Sequence, residues 1–147
     1  MKIVYSLILI LLSSHSSGVL ANDSTAEGGK LFIQNCGSCH GQSDTADNRI
    51  APPIVAIKDH YLRQHADKKE FVSALVNWVT HPSNDRTLMP GAVRRFGLMP
   101  ALPVSEQDLT AIAEFIYDEK IDKPDWYEKH YNAEHGTESN TPAKDNQ

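Results

Sequence analysis

The only two cysteines of this 147-residue chain lie three positions apart, in the sequence Cys36-Gly37-Ser38-Cys39-His40. Thiols at this spacing fall on one edge of a helical turn, so each can add to one of the two vinyl groups of a haem. The histidine after the second cysteine is then held under the iron, where an imidazole nitrogen can bind the metal. The pattern predicts one covalently attached haem c with His40 as an axial ligand.

Three other interpretations of the cysteine pair explain less. A thioredoxin-like redox pair requires a βαβ pattern around it, and the sequence has no strand–helix–strand rhythm. A zinc site needs four ligands, and no second Cys or His pair follows at metal spacing. A disulfide between Cys36 and Cys39 would close too small a loop to constrain the unfolded chain, and it would not explain His40.

The N-terminus has the pattern of a secretory signal peptide over residues 1–21. Lys2 gives a positive start, residues 3–12 form an apolar run, and Val-Leu-Ala at 19–21 supplies a small-residue cleavage site. The apolar run is too short to span a bilayer, which takes about twenty residues. We therefore expect cleavage near Ala21, export to the periplasm, and no stable membrane span afterwards.

The charge balance argues against nucleic acid as a partner. The chain carries 14 Lys and Arg against 19 Asp and Glu, a formal net charge of −5, and the loss of Lys2 would make it one unit more negative. Nucleic-acid binding selects basic surfaces. An acidic surface permits electrostatic steering toward a basic patch on a redox partner protein, although neither the electron donor nor the acceptor follows from it. A chain of this length predicts one modest domain, and we expect a monomer.

Two segments have the apolar periodicity of helices that pack against a core. One covers residues 68–81 and is stopped by Pro82, and the other follows a capping Ser105 and ends by residues 122–124. The first face comprises Phe71, Val72, Leu75, Val76, Trp78 and Val79, and the second comprises Leu109, Ile112, Ala113 and Ile116.

The remaining segments are less regular. A helix over residues 28–39 is predicted to carry the cysteine motif, preceded by a capping box over residues 24–27. Residues 41–58 are expected to be irregular, residues 59–65 to form a short helix, and residues 83–104 to form a loop.

The domain itself is predicted to span residues 24–121. A charged C-terminal extension then covers residues 122–147, in which Trp126 and Tyr127 are candidates to pack back on the domain, and its polar end from Gly136 onward is expected to be disordered.

Two of these segments resemble class I cytochrome c. The stretch GGKLFIQNCGSCHG at 28–41 is similar to the N-terminal helix of that family, and Gly28 and Phe32 match its helix-contact glycine and aromatic residue. The stretch LTAIAEFIY is similar to its last helix, with Ile112 and Phe115 as the crossing pair. The resemblance implies an all-α, cytochrome c-like fold, with three main helices and long loops around one covalently bound haem.

The second axial ligand is predicted to be Met99. It lies sixteen residues before Phe115, as the axial methionine of the resembled family does, and Pro100 rigidifies its loop. Met89, also followed by a proline, is the alternative, and it could instead pack beside the haem edge. A bis-histidine site would have to use one of three histidines, His60, His65 or His81.

The resemblance also implies that the backbone carbonyl of Pro52 accepts a hydrogen bond from the distal nitrogen of the His40 ring. Donors to the haem propionates have to come from elsewhere in the chain. The candidates are Tyr61, Arg63, Trp78, Arg94 and Arg95.

Together these features predict an exported monohaem c-type cytochrome that carries one electron through a His/Met-ligated iron and is not an enzyme. One alternative is a haem subunit docked within a larger oxidoreductase complex, with the extension after Ile121 as the docking element. Another is a haem enzyme with an open sixth coordination site.

Overall fold

A computed structural model describes residues 21–42 and 45–136. In that part of the chain all regular structure is helical. The seven helices are α1 (Ala21–Asn35), α2 (Gly37–His40), α3 (Ile54–Gln64), α4 (Lys68–Thr80), α5 (Pro90–Phe96), α6 (Glu106–Asp118) and α7 (Asp125–His135).

The frame of the fold consists of α1, α4 and α6. The last of these helices packs against both of the others, and α3 adds smaller contacts to α4 and α6. These three are the main helices that the sequence predicts, so the prediction of an all-α, cytochrome c-like architecture with three main helices is confirmed.

The crossing of α1 and α6 is unusually close at Gly28. A Cβ atom on this residue would lie 2.3 Å from the Ala111 carbonyl oxygen and 2.7 Å from the Phe115 Cβ. Only a residue without a side chain allows the two backbones to approach in this way. One turn later, the Phe32 and Phe115 rings pack with their centroids 6.0 Å apart. The predicted role of Gly28 and Phe32 in the helix contact is confirmed.

The predicted face of α6 is buried, that of α4 is buried at two residues and half-buried at the other four, and both helices begin at capped residues. Phe71 and Leu75 of α4 are buried, as are the four predicted core residues of α6. The Ser105 hydroxyl accepts a hydrogen bond from the Asp108 amide at 3.1 Å, which confirms the predicted cap. The Asp67 carboxylate caps α4 in the same way through the Glu70 amide. At its other end α6 stops at Asp118, before the predicted boundary at residues 122–124.

The helix before the motif differs from the prediction at both ends. It begins at Ala21, ahead of the capping box expected at residues 24–27, and it ends at Asn35. At Cys36 the backbone leaves helical geometry with φ −124°, and the short α2 then carries Cys39 and His40. The motif therefore lies across a helix break, which reorients the second cysteine and the histidine relative to α1.

The prediction that residues 41–58 are irregular was wrong for the end of that range. Helix α3 begins at Ile54, five residues before the predicted start, with Pro53 as its N-cap residue at φ −67° and ψ 154°. Proline is compatible with a helix start because the first amides of a helix need no partner within it. Ile54 and Val55 are buried, so tertiary packing stabilises a first turn that has no local periodic signal.

The predicted loop over residues 83–104 contains a helix as well. Helix α5 begins at Pro90, a position where the fixed φ of proline favours the first turn, and it ends at Phe96. Gly97 follows with φ 83°, a left-handed conformation that side chains disfavour, and turns the chain toward Met99.

The C-terminal extension contains helix α7, which packs on α3. The Tyr127 side chain is 2% exposed and forms a small second core with Val55 and Ala56. Its hydroxyl donates to the Asp59 carboxylate at 3.1 Å, and Lys123 pairs with the same carboxylate at 2.9 Å. Burial, and next the neighbouring Asp59 charge, raise the pKa of Tyr127, so the hydroxyl stays protonated and can donate.

Two sequence predictions concern residues that the structure does not describe. The predicted signal peptide lies outside the described residues apart from Ala21, and the polar end of the chain lies outside them apart from Gly136. Among the helices that the described residues form, none combines the length and the apolar character needed to cross a membrane.

The close approach at Gly28 predicts a specific cost for a single methyl group. Gly28→Ala should lower the free energy of unfolding by about 2 kcal/mol, because the added Cβ forces α1 and α6 apart. Gly91→Ala is the matched control, since its nearest neighbour would be an Arg94 nitrogen at 3.8 Å and alanine favours a helix. Chemical denaturation measures both, and equal effects would contradict the packing argument.

The second core predicts that α7 contributes to global stability. Tyr127→Ala should lower the free energy of unfolding by about 3 kcal/mol, because it removes a buried aromatic side chain and its hydrogen bond to Asp59. Lys129→Ala changes an exposed residue of the same helix and should have almost no effect. If the Tyr127 variant unfolded at the wild-type denaturant concentration, α7 would not be packed on α3 in solution.

Candidate functional site

The cysteine motif is positioned by the end of α1 and by the turn that follows it. The Cys36 amide still donates to the Phe32 carbonyl at 2.8 Å, and the His40 amide donates to the Cys36 carbonyl at 2.9 Å. The two cysteines are free thiols in the structure, and Cys36 is half-buried whereas Cys39 is exposed. The helix break at Cys36 thus holds both thiols and the imidazole within one compact turn.

Burial, and next the proximity of Cys39, raise the pKa of the Cys36 thiol. Both effects disfavour the thiolate. Cys36 therefore lacks the lowered thiol pKa that characterises reactive redox cysteines, and this argues further against a thioredoxin-like function.

The His40 ring is oriented by a backbone carbonyl. Its Nδ1 lies 2.8 Å from the Pro52 carbonyl oxygen. A carbonyl can only accept, so Nδ1 carries the proton and Nε2 is the nitrogen left for a metal. The predicted bond between His40 and Pro52 is confirmed. Burial lowers the pKa of His40 more than the Pro52 bond raises it, and nearby Arg49 lowers it further, which favours the neutral, metal-binding ring.

Arg49 has a role that the sequence analysis missed. Its Nη2 donates to the Gly41 carbonyl at 2.7 Å and its Nε donates to the Ala51 carbonyl at 3.3 Å. These carbonyls belong to the residue after His40 and the residue before Pro52, so the guanidinium joins both ends of the loop that orients the ring. A single arginine in a polar loop has no spacing pattern that would have indicated this contact.

The motif opens into a cavity of about 320 Å³, the first cavity, between α1, α4, α5 and α6. Cys36, Cys39 and His40 line one side of it. Its walls are largely apolar and include Phe32, Ile57, Leu75, Val76, Val79, Leu88, Ala92, Val93, Phe96, Leu102, Leu109, Ile112 and Ile116. Most of these residues belong to the helices that form the core, so the packing that stabilises the fold also gives the cavity its apolar walls.

Both candidate methionines line the first cavity. Met99 follows the turn at Gly97 and is half-buried. Met89 caps α5, where its amide donates to the Thr87 hydroxyl at 3.0 Å, and its side chain also packs against the second core. The structure thus brings both methionines to the cavity that His40 lines, and it also packs Met89 against the second core outside that cavity.

The alternative histidine ligands lie elsewhere. None of His60, His65 and His81 lines the first cavity. The His60 Nδ1 bonds to the Ala56 carbonyl at 2.8 Å, and the His81 Nδ1 bonds to the Thr80 hydroxyl at 2.9 Å.

The five candidate propionate donors separate into three groups. Tyr61 and Trp78 line the first cavity. Arg94 and Arg95 line a second cavity, which lies between α3, α5, α7 and the loop before Pro52. Arg63 lines neither, and it donates to the Tyr131 hydroxyl.

The donor set fits a covalently attached haem. A porphyrin requires an apolar enclosure, two thiols next to each other at its edge and a neutral imidazole directed at the iron, and the first cavity has all three. In addition, Arg49, which bonds to the Gly41 and Ala51 carbonyls beside the motif, has one nitrogen, Nη1, that is buried without a hydrogen-bond partner among the described residues. Such a donor suits the carboxylate substituents that a haem carries.

Comparison with known proteins agrees with this chemistry. The family model described as Cytochrome c matches residues 25–120, which include the cysteine motif, both methionines and all of α6. No curated protein and no solved structure matches the chain. The match covers well over half of the sequence. The chain therefore belongs to the cytochrome c family, whose members typically carry one covalently bound haem c.

Proposed function

We propose that this protein is an exported one-electron carrier whose haem is attached through Cys36 and Cys39 and ligated by His40 and Met99. Haem-based electron transfer is the activity that membership of the cytochrome c family suggests. The residue assignments, the export and the role as a free carrier are our own inferences.

One observation carries the proposal: a single apolar cavity is lined by the two thiols, the neutral imidazole and both methionines. The bound haem supplies an iron that alternates between the ferric and ferrous states. What the chain contributes is a rigid ligand set. The His40 ring is held by the Pro52 carbonyl, and Arg49 joins the two ends of the intervening loop, so little needs to move when the charge of the site changes.

Two arguments support Met99 over Met89. Met99 lies on the chain between Gly97 and the cap of α6, at the distance from Phe115 that the family spacing implies. Met89 is committed to other contacts, because its amide is bonded to Thr87 and its side chain packs on the second core. A methionine with such packing would have to give up contacts with the second core in order to reach a metal.

The apolar walls of the first cavity support electron transfer in preference to catalysis. They exclude water from the iron and favour the less charged ferrous state, as does a thioether ligand. A sixth position filled by Met99 leaves no site on the metal for a substrate. Trp126, Tyr127 and Tyr131 of the extension pack on α3 within this chain, so these aromatic residues give no support to a docking element of a fixed subunit.

The N-terminal signal pattern and the family support export. Cytochrome c domains typically function outside the cytoplasm. We propose that the mature protein acts in the periplasm, as a monomer that exchanges electrons with redox partner proteins. Gel filtration of the mature holoprotein tests whether it is a monomer. A subunit of a larger complex would instead co-purify with its partners.

The ligand assignment predicts different spectra for two matched variants. Met99→Ala should abolish the sulfur-to-iron charge-transfer band of the oxidised protein, since no thioether would remain on the iron. Met89→Ala should retain that band and lose only packing. Near-infrared absorption of the purified holoproteins measures both. If the band remained in the Met99 variant, the assignment of Met99 as an axial ligand would be wrong.

Ligation of the iron by Met99 also predicts that an added ligand binds slowly, because it would have to replace the methionine. Reduced wild-type protein at neutral pH should bind little carbon monoxide, whereas reduced Met99→Ala should bind it rapidly and fully. Visible spectra after addition of carbon monoxide distinguish the two. Rapid and full binding to the wild type would instead indicate an open site and favour the enzymatic alternative.

A further inference from the structure

The second cavity adjoins the first and has the opposite chemical character. Its volume is about 390 Å³. Residues that line both cavities are Pro52, Leu88, Met89, Ala92 and Phe96. The two cavities are therefore separated by single side chains, and a charge held in the second would act on an iron in the first.

The lining of the second cavity owes its positive charge to arginine. It includes three arginines and three histidines, and no aspartate or glutamate whose side chain the structure describes lines it. Burial lowers the pKa of one of these histidines, His60, which favours its neutral ring. The six residues are Arg49, Arg94, Arg95, His60, His130 and His135. An overall acidic chain thus gathers three of its five arginines around one space that no described carboxylate lines. Like charges at such proximity repel one another, and an anion between them would remove the repulsion.

Arg49 shows the repulsion and offers a donor. Two of its nitrogens are fixed by the Gly41 and Ala51 carbonyls, while Nη1 is buried and has no hydrogen-bond partner among the described residues. Burial, and next the charge of Arg95, lower the pKa of the guanidinium. A buried donor without a partner is unfavourable, and a charge-assisted bond to an oxyanion would satisfy it.

Helix α7 supplies one wall of the second cavity. Its Trp126 ring lies beneath the Arg49 guanidinium, with 5.9 Å between Cζ and the ring centroid, and Tyr127 anchors the helix to α3. The family match ends at residue 120, before this helix begins. The enclosed cationic space is therefore a feature of this chain's extension as well as of its cytochrome domain.

We propose that the second cavity binds an oxyanion of the carboxylate or phosphate type, and that this anion adjusts the reduction potential of the haem in the first cavity. The effect on the reduction potential rests on the proposed function, whereas the binding of the anion does not. Two sources share the required chemistry: the carboxylate substituents of the haem itself, and a small anion from solution. An anion at this position stabilises the ferric state, so occupancy lowers the reduction potential.

The test uses the full-length holoprotein and inorganic phosphate as the probe. Potentiometric and calorimetric titrations with phosphate are run at constant pH and ionic strength, with chloride as the comparison salt. The variant carries Arg94→Gln and Arg95→Gln together, both exposed positions whose replacement should leave the fold intact. Arg86→Gln is the matched control, because this exposed arginine bonds to Asn77 and lines neither cavity.

Each source predicts its own result. For an anion from solution, phosphate lowers the wild-type potential whereas chloride does not, and the double variant binds phosphate about tenfold more weakly or worse. For the haem carboxylates, phosphate has no effect, but the double variant changes both the potential and the propionate bending bands of the resonance Raman spectrum. Arg86→Gln changes none of these quantities in either case.

The proposal is overturned if the wild type does not respond to phosphate and the double variant matches Arg86→Gln in potential and Raman bands. This outcome is distinct from failure of the proposed function. Loss of the Met99 assignment would appear in the charge-transfer band and in carbon monoxide binding, whereas calorimetric phosphate binding does not depend on which sulfur, if any, ligates the iron.

Discussion

The contact between Gly28 and the Ala111 carbonyl is the constraint on which the rest of the structure depends. It sets how closely α1 and α6 approach, and the Phe32 and Phe115 rings pack beside it. The cysteine motif follows α1 after a single turn, so the position of both thiols and of His40 relative to the core is fixed by this crossing. A change of a few tenths of an ångström there would be transmitted along a rigid helix to the site.

The two axial sides of the proposed haem site are built in different ways. His40 is fixed by short-range contacts: two neighbouring thiols, a carbonyl twelve residues away and an arginine that joins both ends of the loop between them. Met99 depends on the path of a longer segment, which α5 shortens and the left-handed Gly97 turns. The position of His40 therefore depends on few elements of the fold, whereas the position of Met99 requires α4, α5 and α6 to be packed together.

The same distinction explains how much the sequence could predict. The motif, the Ser105 cap of α6 and the apolar faces of α4 and α6 are encoded within a few residues, and each was predicted from the sequence, whereas the Asp67 cap of α4 was not. Helix α3 was predicted to start late because Pro53 suggests irregular chain, although burial of Ile54 and Val55 stabilises the turn that follows it. The loop-bracing contacts of Arg49 reach residues 41 and 51 and leave no pattern along the chain. Such long-range effects become visible only in three dimensions.

The net charge of the chain hides an uneven distribution of its charged residues. The net charge of −5 suggests an acidic surface that would be steered toward a basic partner. Residues 106–128, however, contain eight of the acidic side chains and only two lysines, whereas residues 86–105 contain three arginines and no acid. The basic segment is the one that contains α5 and both candidate methionines, and so it lies beside the first cavity. Because charges more than about 10 Å apart are screened at ordinary ionic strength, this local cationic region, rather than the net charge, would decide which anions and partners approach the proposed haem site.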